Sequence, residues 1–227
     1  HPDLRLLLGH GSGSFGHAAA SQYGTRRGVA GPAAWRGFAE VWYQASALDR
    51  LVVEALREAG LPALTLAPVA AVTAEMGTVA AWDPGPLQAA LENGLLPVVH
   101  GDVVFDRALG GTILSTEDLF AHLARLLKPR RILLAGHEPG VWADFPARTT
   151  LLPEITPGSF ATYAGGLGKA AGADVTGGMF SKVSQMLQLV QEIPGLEVLV
   201  FSGEDDEDIV RALQGELAAR NALVFRR

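Results

Sequence analysis

Short apolar runs alternate with longer amphipathic stretches along this chain. The runs Leu4–Leu8, Ala63–Ala67, Leu96–His100, Arg131–Ala135, Glu197–Phe201 and Ala222–Phe225 are rich in Leu, Val and Ala and are bounded by turn-forming residues. That pattern predicts short strands buried in a sheet. Ala34–Ala59 carries an apolar stripe at helical spacing and closes on Gly60 with Pro62 beyond, a normal helix stop. Pro86–Asn93, Thr116–Leu127, Gly178–Glu192 and Glu207–Arg220 predict further helices. Two β-prone pieces around Gly110-Gly111 predict a two-stranded insertion over Val103–Leu114. Pro146–Gly172, rich in proline and glycine, reads as an elaborate loop within the fold. Strands alternating with helices point to helix layers around a mostly parallel sheet, and neither an internal repeat nor a linker divides the chain.

Composition narrows the function classes. The chain has 227 residues, enough for one large α/β domain, and no cysteine. A disulfide framework, a thiolate zinc site, an iron–sulfur cluster and a cysteine nucleophile are all excluded. With 18 Lys plus Arg against 24 Asp plus Glu the formal charge is −6, and no long basic run is present, so nucleic acid is not the expected partner. No apolar run reaches the roughly 18 to 20 residues that span a bilayer, and the amino end lacks a signal pattern. The reading is a cytoplasmic protein without a membrane partner. Lys128, Lys169 and Lys182 are its only lysines, which matters because phosphate sites often use one.

The strongest local signal follows the first apolar run: Gly9-His10-Gly11-Ser12-Gly13-Ser14-Phe15-Gly16-His17, opening into Ala18-Ala19-Ala20. Strand, glycine turn and helix start make an anion site, because glycines let backbone N–H groups approach an oxyanion and the helix amino end adds partial positive charge. Ser12, Ser14 and His17 add side-chain donors. Gly11, Gly13 and Gly16 satisfy GxGxxG, yet the acidic residue a dinucleotide site wants about 20 positions on is replaced by Arg26-Arg27-Gly28. The nucleophile-elbow pattern fails at Ser12, and the segment around Lys169 lacks the first glycine and final Ser/Thr of a P-loop. A phosphate enzyme of another fold is the better reading.

Three later turns carry candidate chemistry. The strand ending in His100-Gly101-Asp102 faces the usual ligand crevice at strand carboxyl ends. His100, Asp102 and Asp106 could ligate a metal, but no further ligand cluster supports this; Asp102 as a cap of the adjoining loop is preferred, and no metal ligand is assigned. The loop Gly140-Val141-Trp142-Ala143-Asp144-Phe145-Pro146 offers two aromatics that either belong to the core or wall an adenine pocket. Asp174-Val175-Thr176-Gly177-Gly178 opens a helix bearing Lys182 about one turn in. A lysine there can curl back to phosphate oxygens held by glycine N–H groups and offset charge during transfer. The plain alternative is a solvent-facing lysine.

Taken in order, GSGSFGHAAA, HGDVVFD with ILSTED, GVWADFP and DVTGGMFSK resemble the amino acid kinase superfamily, and GSFGH with Ile155-Thr156-Pro157 is similar to its isopentenyl phosphate kinase branch. These motifs run from Gly9 to about Gly215. The resemblance implies a three-layer αβα sandwich with an open, mostly parallel central sheet, acting as a homodimer. It implies one domain over 1–227, with an acceptor-binding half at 1–128 and a nucleotide-binding half at 129–227. The implied activity is ATP-dependent phosphorylation of isopentenyl phosphate to isopentenyl diphosphate with Mg²⁺, a step of isoprenoid biosynthesis. Alternatives on this scaffold are a fosfomycin kinase and a non-catalytic nucleotide-binding module.

By the same resemblance Gly11, Ser12, Gly13, Ser14, Gly16 and His17 bind the acceptor phosphate, and His17 and Lys182 are catalytic. Gly140, Trp142, Asp144, Thr176, Gly177, Gly178 and Lys182 hold ATP. The apolar tail is expected beside the helix bearing Phe38, Val41, Trp42 and Ala45, or by Val72–Val79, although core packing explains these residues equally well. Family members begin with a strand and a GGS…K segment, and nothing before His1 corresponds to it, so the expectation is a chain short by that strand. His137-Glu138-Pro139 stands where relatives tend to have an acidic residue that orients the lysines, and Gly215-Glu216 lacks the usual Gly-Thr.

Overall fold

The first apolar run gives only its end to a sheet. In the computed structural model, which describes residues 4–167, 178–216 and 222–225, strand β1 covers Leu8–His10. It pairs in parallel with β5 (Leu96–His100), whose other parallel neighbour is β2 (Ala63–Thr65). Pro97 explains the late start. The bonds from Leu66 N–H to Val98 C=O and from Gly101 N–H to His10 C=O show that Val98 faces β2 while residues 97, 99 and 101 face β1. Pro97 has no N–H to offer on that side, so the ladder begins only at Leu8. Leu6 and Leu8 nevertheless pack on Ala63, Leu96 and Val98.

The chain divides into two compact units, His1–Leu123 and Ala124–Arg227. In the first, α1 (Gly13–Tyr23) packs on the long α2 (Gly31–Glu58). Helix α2 starts earlier than Ala34 because Pro32 is tolerated in a first turn. Gly37 permits the close approach, since a Cβ there would lie 2.4 Å from the Tyr23 ring. The buried face of α2 presents Gly37, Phe38, Val41, Ala45 and Asp49 at helical spacing, and Phe38 and Val41 join Ala19, Ala20, Val29 and Val103 in one apolar cluster.

A second sheet of this unit orders β4 (Thr78–Trp82), β3 (Val72–Glu75), β6 (Asp102–Asp106) and β7 (Gly110–Leu114). The β6–β7 hairpin is the expected insertion. The β3–β4 hairpin is not foreseen by the pattern; it turns at Met76 (φ 51°) and Gly77 (φ 75°), marked in sequence by a single glycine. The short α3 (Pro68–Ala71) precedes β3, and α4 (Gly85–Glu92) lies between β4 and β5. Helix α5 (Thr116–Leu127) opens with a capping box: Asp118 accepts from Ser115 N–H and Oγ–H, and Ser115 Oγ accepts from Asp118 N–H.

The second unit orders β8 (Arg131–Gly136), β10 (Glu197–Ser202), β11 (Ala222–Phe225) and β9 (Glu154–Ile155). Leu199, Phe201 and Ala212 form a core with Leu133 and Ile209. Helix α7 covers Gly178–Glu192, as read from the sequence. Helix α8 (Asp206–Gln214) stops well short of Arg220, because Gly215 turns left-handed (φ 81°) and the Arg131 guanidinium donates to the Ala212 and Leu213 carbonyls. Within the loop after Pro146 lie β9 and a single turn, α6 (Phe160–Tyr163). Five of the eight strand pairings among the described residues are parallel, so the α/β, mostly parallel class is the observed one, hydrogen-bonded as three sheets.

Candidate active site

Beyond β1 the chain turns through Gly11 and Ser12 into α1. The turn is fixed from below: the His10 carbonyl accepts from Gly101 N–H (3.2 Å) and from Thr116 Oγ1–H (2.6 Å). Gly13 takes a left-handed conformation (φ 51°) that glycine adopts without cost. Gly16 is needed for room, since a Cβ there would lie 2.5 Å from Ser12 Cβ and Oγ. Gly11 meets nothing within 4 Å, so the loop is open at that point. The Gly16 N–H bonds back to the Ser12 carbonyl (3.1 Å), which leaves the N–H groups of Gly13, Ser14 and Phe15 at the helix mouth without a partner of their own helix. Ser14 and His17 are exposed on α1. All six acceptor-site candidates thus share one strand–turn–helix.

Ser14, Phe15, Ala18 and Tyr23 of α1 line an open groove of about 460 Å³ with Glu40 and Gln44 of α2. The expected tail contacts fare differently. Phe38, Val41 and Ala45 are buried in the core, as is Val72, and only Trp42 of that helix set is exposed. Phe38 and Val41 pack in the apolar cluster of this unit.

Beneath the loop sits a buried polar network that periodicity did not reveal. His10 Nδ1 is 2.9 Å from the Gly11 carbonyl oxygen, and Nε2 is 3.1 Å from Asp49 Oδ1. Thr65 Oγ1–H donates to Asp49 Oδ2 at 2.6 Å, and His100 brings Nδ1 to 3.4 Å from Oδ1 without completing a hydrogen bond. The His10 and His100 rings stack at 5.4 Å. Burial opposes a charge on Asp49, but hydrogen bonding from His10 and Thr65, with His100 close by, outweighs it and holds the carboxyl well below the usual range. Asp102 goes the other way: burial pushes it up to about 6, against the pull of His100 and of the Val103 and Val69 N–H groups. The clue to Asp49 in the sequence was a carboxylate on the apolar stripe of α2, in register with Val41 and Ala45.

A metal held by His100, Asp102 and Asp106 is ruled out by where these groups point. Asp106 is buried and accepts from four backbone N–H groups, those of Met76, Gly77, Ala108 and Leu109, so it ties the two hairpin turns together. Burial disfavours its charge, yet these donors hold it below its ordinary range. Asp102 accepts from Val103 N–H of its own strand and from Val69 N–H in the first turn of α3, so it ties to a distant helix start and not only to its adjoining loop. His100 belongs instead with His10 and Asp49, the group of three among the described residues whose donor atoms come close enough to hold an ion.

In the second unit Trp142 Nε1–H donates to Glu138 (2.7 Å), which also pairs with Arg148 (3.1 Å). Glu138 therefore braces the Gly140–Pro146 loop. Gly140 is buried beside Val141, and the Asp144 carboxylate accepts from the Thr149 hydroxyl and from the Thr149 and Thr150 N–H groups. The Thr149 hydroxyl is the main reason this carboxyl lies below its ordinary range. Gly166 allows the loop to close, because a Cβ there would strike the Ala143 carbonyl oxygen. Gly178 begins α7, and Lys182 lies half-buried one turn along it. Thr176 and Gly177 lie outside the described residues.

These features can be set against known proteins. The model of the amino acid kinase family matches residues 2–202. Isopentenyl phosphate kinase of Methanothermobacter thermautotrophicus is 33% identical over 220 residues, covering 93% of this chain and 81% of its own, and the Arabidopsis thaliana enzyme of the same name is 30% identical, with coverages of 94% and 68%. A crystal structure described as isopentenyl phosphate kinase superposes with a TM-score of 0.78 at 29% identity, covering 96% of this chain and 84% of its own. A family model over residues 2–202 and two relatives at or above 30% identity along nearly the whole chain settle the family. This chain belongs to the amino acid kinase family and, within it, to the isopentenyl phosphate kinases.

Proposed function

We propose that this protein transfers the γ-phosphoryl group of ATP to isopentenyl phosphate, yielding isopentenyl diphosphate and ADP. The carrying observation is the similarity to the Methanothermobacter thermautotrophicus enzyme over 93% of this chain, beside a family-model match over residues 2–202 that contains the glycine loop. An acceptor phosphate oxygen attacks the γ-phosphorus as the bond to the ADP oxygen breaks. A phosphate monoester is already anionic near neutral pH, so the residues need only position and neutralise.

The Ser12–Phe15 N–H groups at the amino end of α1 suit the acceptor phosphate, with Ser12 and Ser14 hydroxyls beside them. His17 donates a hydrogen bond to that phosphate and helps hold the attacking oxygen, and Lys182 offsets charge between donor and acceptor. The groove walled by Phe15, Ala18 and Tyr23 takes the five-carbon chain. The Gly140–Pro146 loop and the start of α7 are assigned to ATP, with Trp142 near the base. Mg²⁺ takes oxygen ligands, and the His10, Asp49 and His100 group is mostly nitrogen and tied by its own hydrogen bonds, so it does not fit. Mg²⁺ enters only as the partner of ATP.

A homodimer working in the cytoplasm completes the proposal. No helix among the described residues is long and apolar enough to cross a membrane. ADP release measured with isopentenyl phosphate, dimethylallyl phosphate and fosfomycin tests it. Turnover is expected with the isoprenoid phosphates, and none with either of them refutes the proposal.

A further inference from the structure

Under the glycine loop lies a hydrogen-bonded network, His10 with Asp49, that phosphoryl transfer itself does not use. Both ring nitrogens of His10 face oxygen acceptors, the Gly11 carbonyl at 2.9 Å and Asp49 Oδ1 at 3.1 Å. A carbonyl oxygen only accepts, so Nδ1 carries hydrogen. Burial works against a charge on Asp49, but its hydrogen bonds keep it ionised, and it too only accepts. Nε2 therefore also faces an atom that only accepts, so each ring nitrogen is placed to donate.

The His10 ring touches one peptide unit of the loop. The Gly11–Ser12 peptide is trans, so its N–H points opposite to its C=O. With the carbonyl turned to His10, the Ser12 N–H points away from the network, on a stretch where Gly11 has open space around it. Among the described residues the Ser12 N–H donates to no protein group. A hydrogen bond to the carbonyl side of a peptide strengthens its N–H as a donor, and more so when the partner is charged. We infer that His10 carries hydrogen on both ring nitrogens and that Asp49 and His10 are positioning residues for the acceptor: the imidazolium polarises the Gly11–Ser12 peptide and holds the Ser12 N–H as a strengthened, fixed donor to a phosphate monoester.

The inference rests on the assignment of the glycine loop to the acceptor phosphate. The titratable groups facing His10 are Asp49 from α2 and the stacked His100 from β5, with Asp102 behind at 3.7 Å from His100 Nε2. A transition ion bound by His10, Asp49 and His100 would instead require a bare Nε2, so one measurement separates the two states.

Nitrogen-15 histidine spectra of the intact protein at neutral pH should show both His10 ring nitrogens protonated, the signal being identified by its loss in His10→Gln. An unprotonated His10 nitrogen overturns the inference. In Asp49→Asn, checked for folding by its thermal melt, KM for isopentenyl phosphate should rise about tenfold, the scale of one hydrogen bond to a charged group, with KM for ATP within about twofold. An unchanged acceptor KM also overturns it. Amide shifts on adding isopentenyl phosphate locate any failure. If Ser12, Gly13 and Ser14 do not respond in the wild type, the loop assignment falls and the inference with it. If they respond with equal affinity in wild type and Asp49→Asn, the assignment stands and only the inference falls.

Discussion

In an unobstructed helix Gly16→Ala would stabilise α1 by about 0.5–1 kcal/mol, because alanine has less backbone freedom to lose. The surroundings of Gly16 reverse that expectation. The new Cβ would stand 2.5 Å from Ser12 Cβ and Oγ, about 0.9 Å inside ordinary contact. Rotating Ser12 moves its hydroxyl but leaves its Cβ in place, so the backbone itself must give. Overpacking of this kind costs about 1–3 kcal/mol, leaving a net destabilisation of up to about 2.5 kcal/mol. Ser12→Gly removes both obstructing atoms, and in that background the alanine should stabilise. Urea unfolding of the wild type, the two single variants and the double variant closes a cycle whose coupling should be at least about 1 kcal/mol. Additivity within about 0.3 kcal/mol would show that the helix yields without cost and would refute the reasoning. The same shift disturbs the helix mouth, so Gly16→Ala should raise KM for isopentenyl phosphate more than KM for ATP.

His17→Ala should lower kcat by about 10²-fold, typical of losing a donor that acts in the transition state, with little change in KM for ATP; unchanged kcat removes His17 from the mechanism. Lys182→Ala should cost at least about tenfold in kcat/KM for ATP, and wild-type kinetics would make the lysine structural. Asp102, raised to about 6 by burial, stays protonated in the fold after the unfolded chain has ionised. Its contribution is complete below the ordinary carboxylate pKa and is lost as pH rises between roughly 4 and 6, by up to about 3 kcal/mol. Asp49 is shifted the opposite way and acts only at lower pH. Asp102→Asn should flatten the decline seen in urea midpoints between roughly pH 4 and 6, and a slope identical to wild type would remove Asp102 as its source.

Much of the fold was legible because its strands and helices differ in period, and the glycine loop because strand, small residues and helix follow without a gap. What escaped detection depended on atoms far apart in sequence. Asp49 lies in the middle of a helix, and only the stacking of β1, β2 and β5 against α2 gives it His10, Thr65 and His100 as neighbours. Asp106 was visible as an acidic turn residue, but the β3–β4 turn that takes up two of its four hydrogen bonds was not predicted. Helix α8 was drawn too long because Ala-rich sequence beyond Gly215 kept a helical composition, while the left-handed glycine and the guanidinium of Arg131 ended it. For the tail residues the sequence offered two readings from the start, because apolar side chains on a helix face suit a core and a slot alike.

Pro97 also limits how β1 can slide. In the observed register His10 lies opposite His100, and the Leu6 carbonyl, which would need the missing Pro97 N–H, falls outside β1. A slip of one residue would turn the His10 side chain to the other face of the sheet. A slip of two toward Val98 would keep the face but present the Leu8 carbonyl to the missing donor, and would carry His10 about 6.6 Å from its place beside His100. A proline on a neighbouring strand thus acts as an end stop, setting how far the glycine loop projects beyond the sheet before the loop makes any contact of its own.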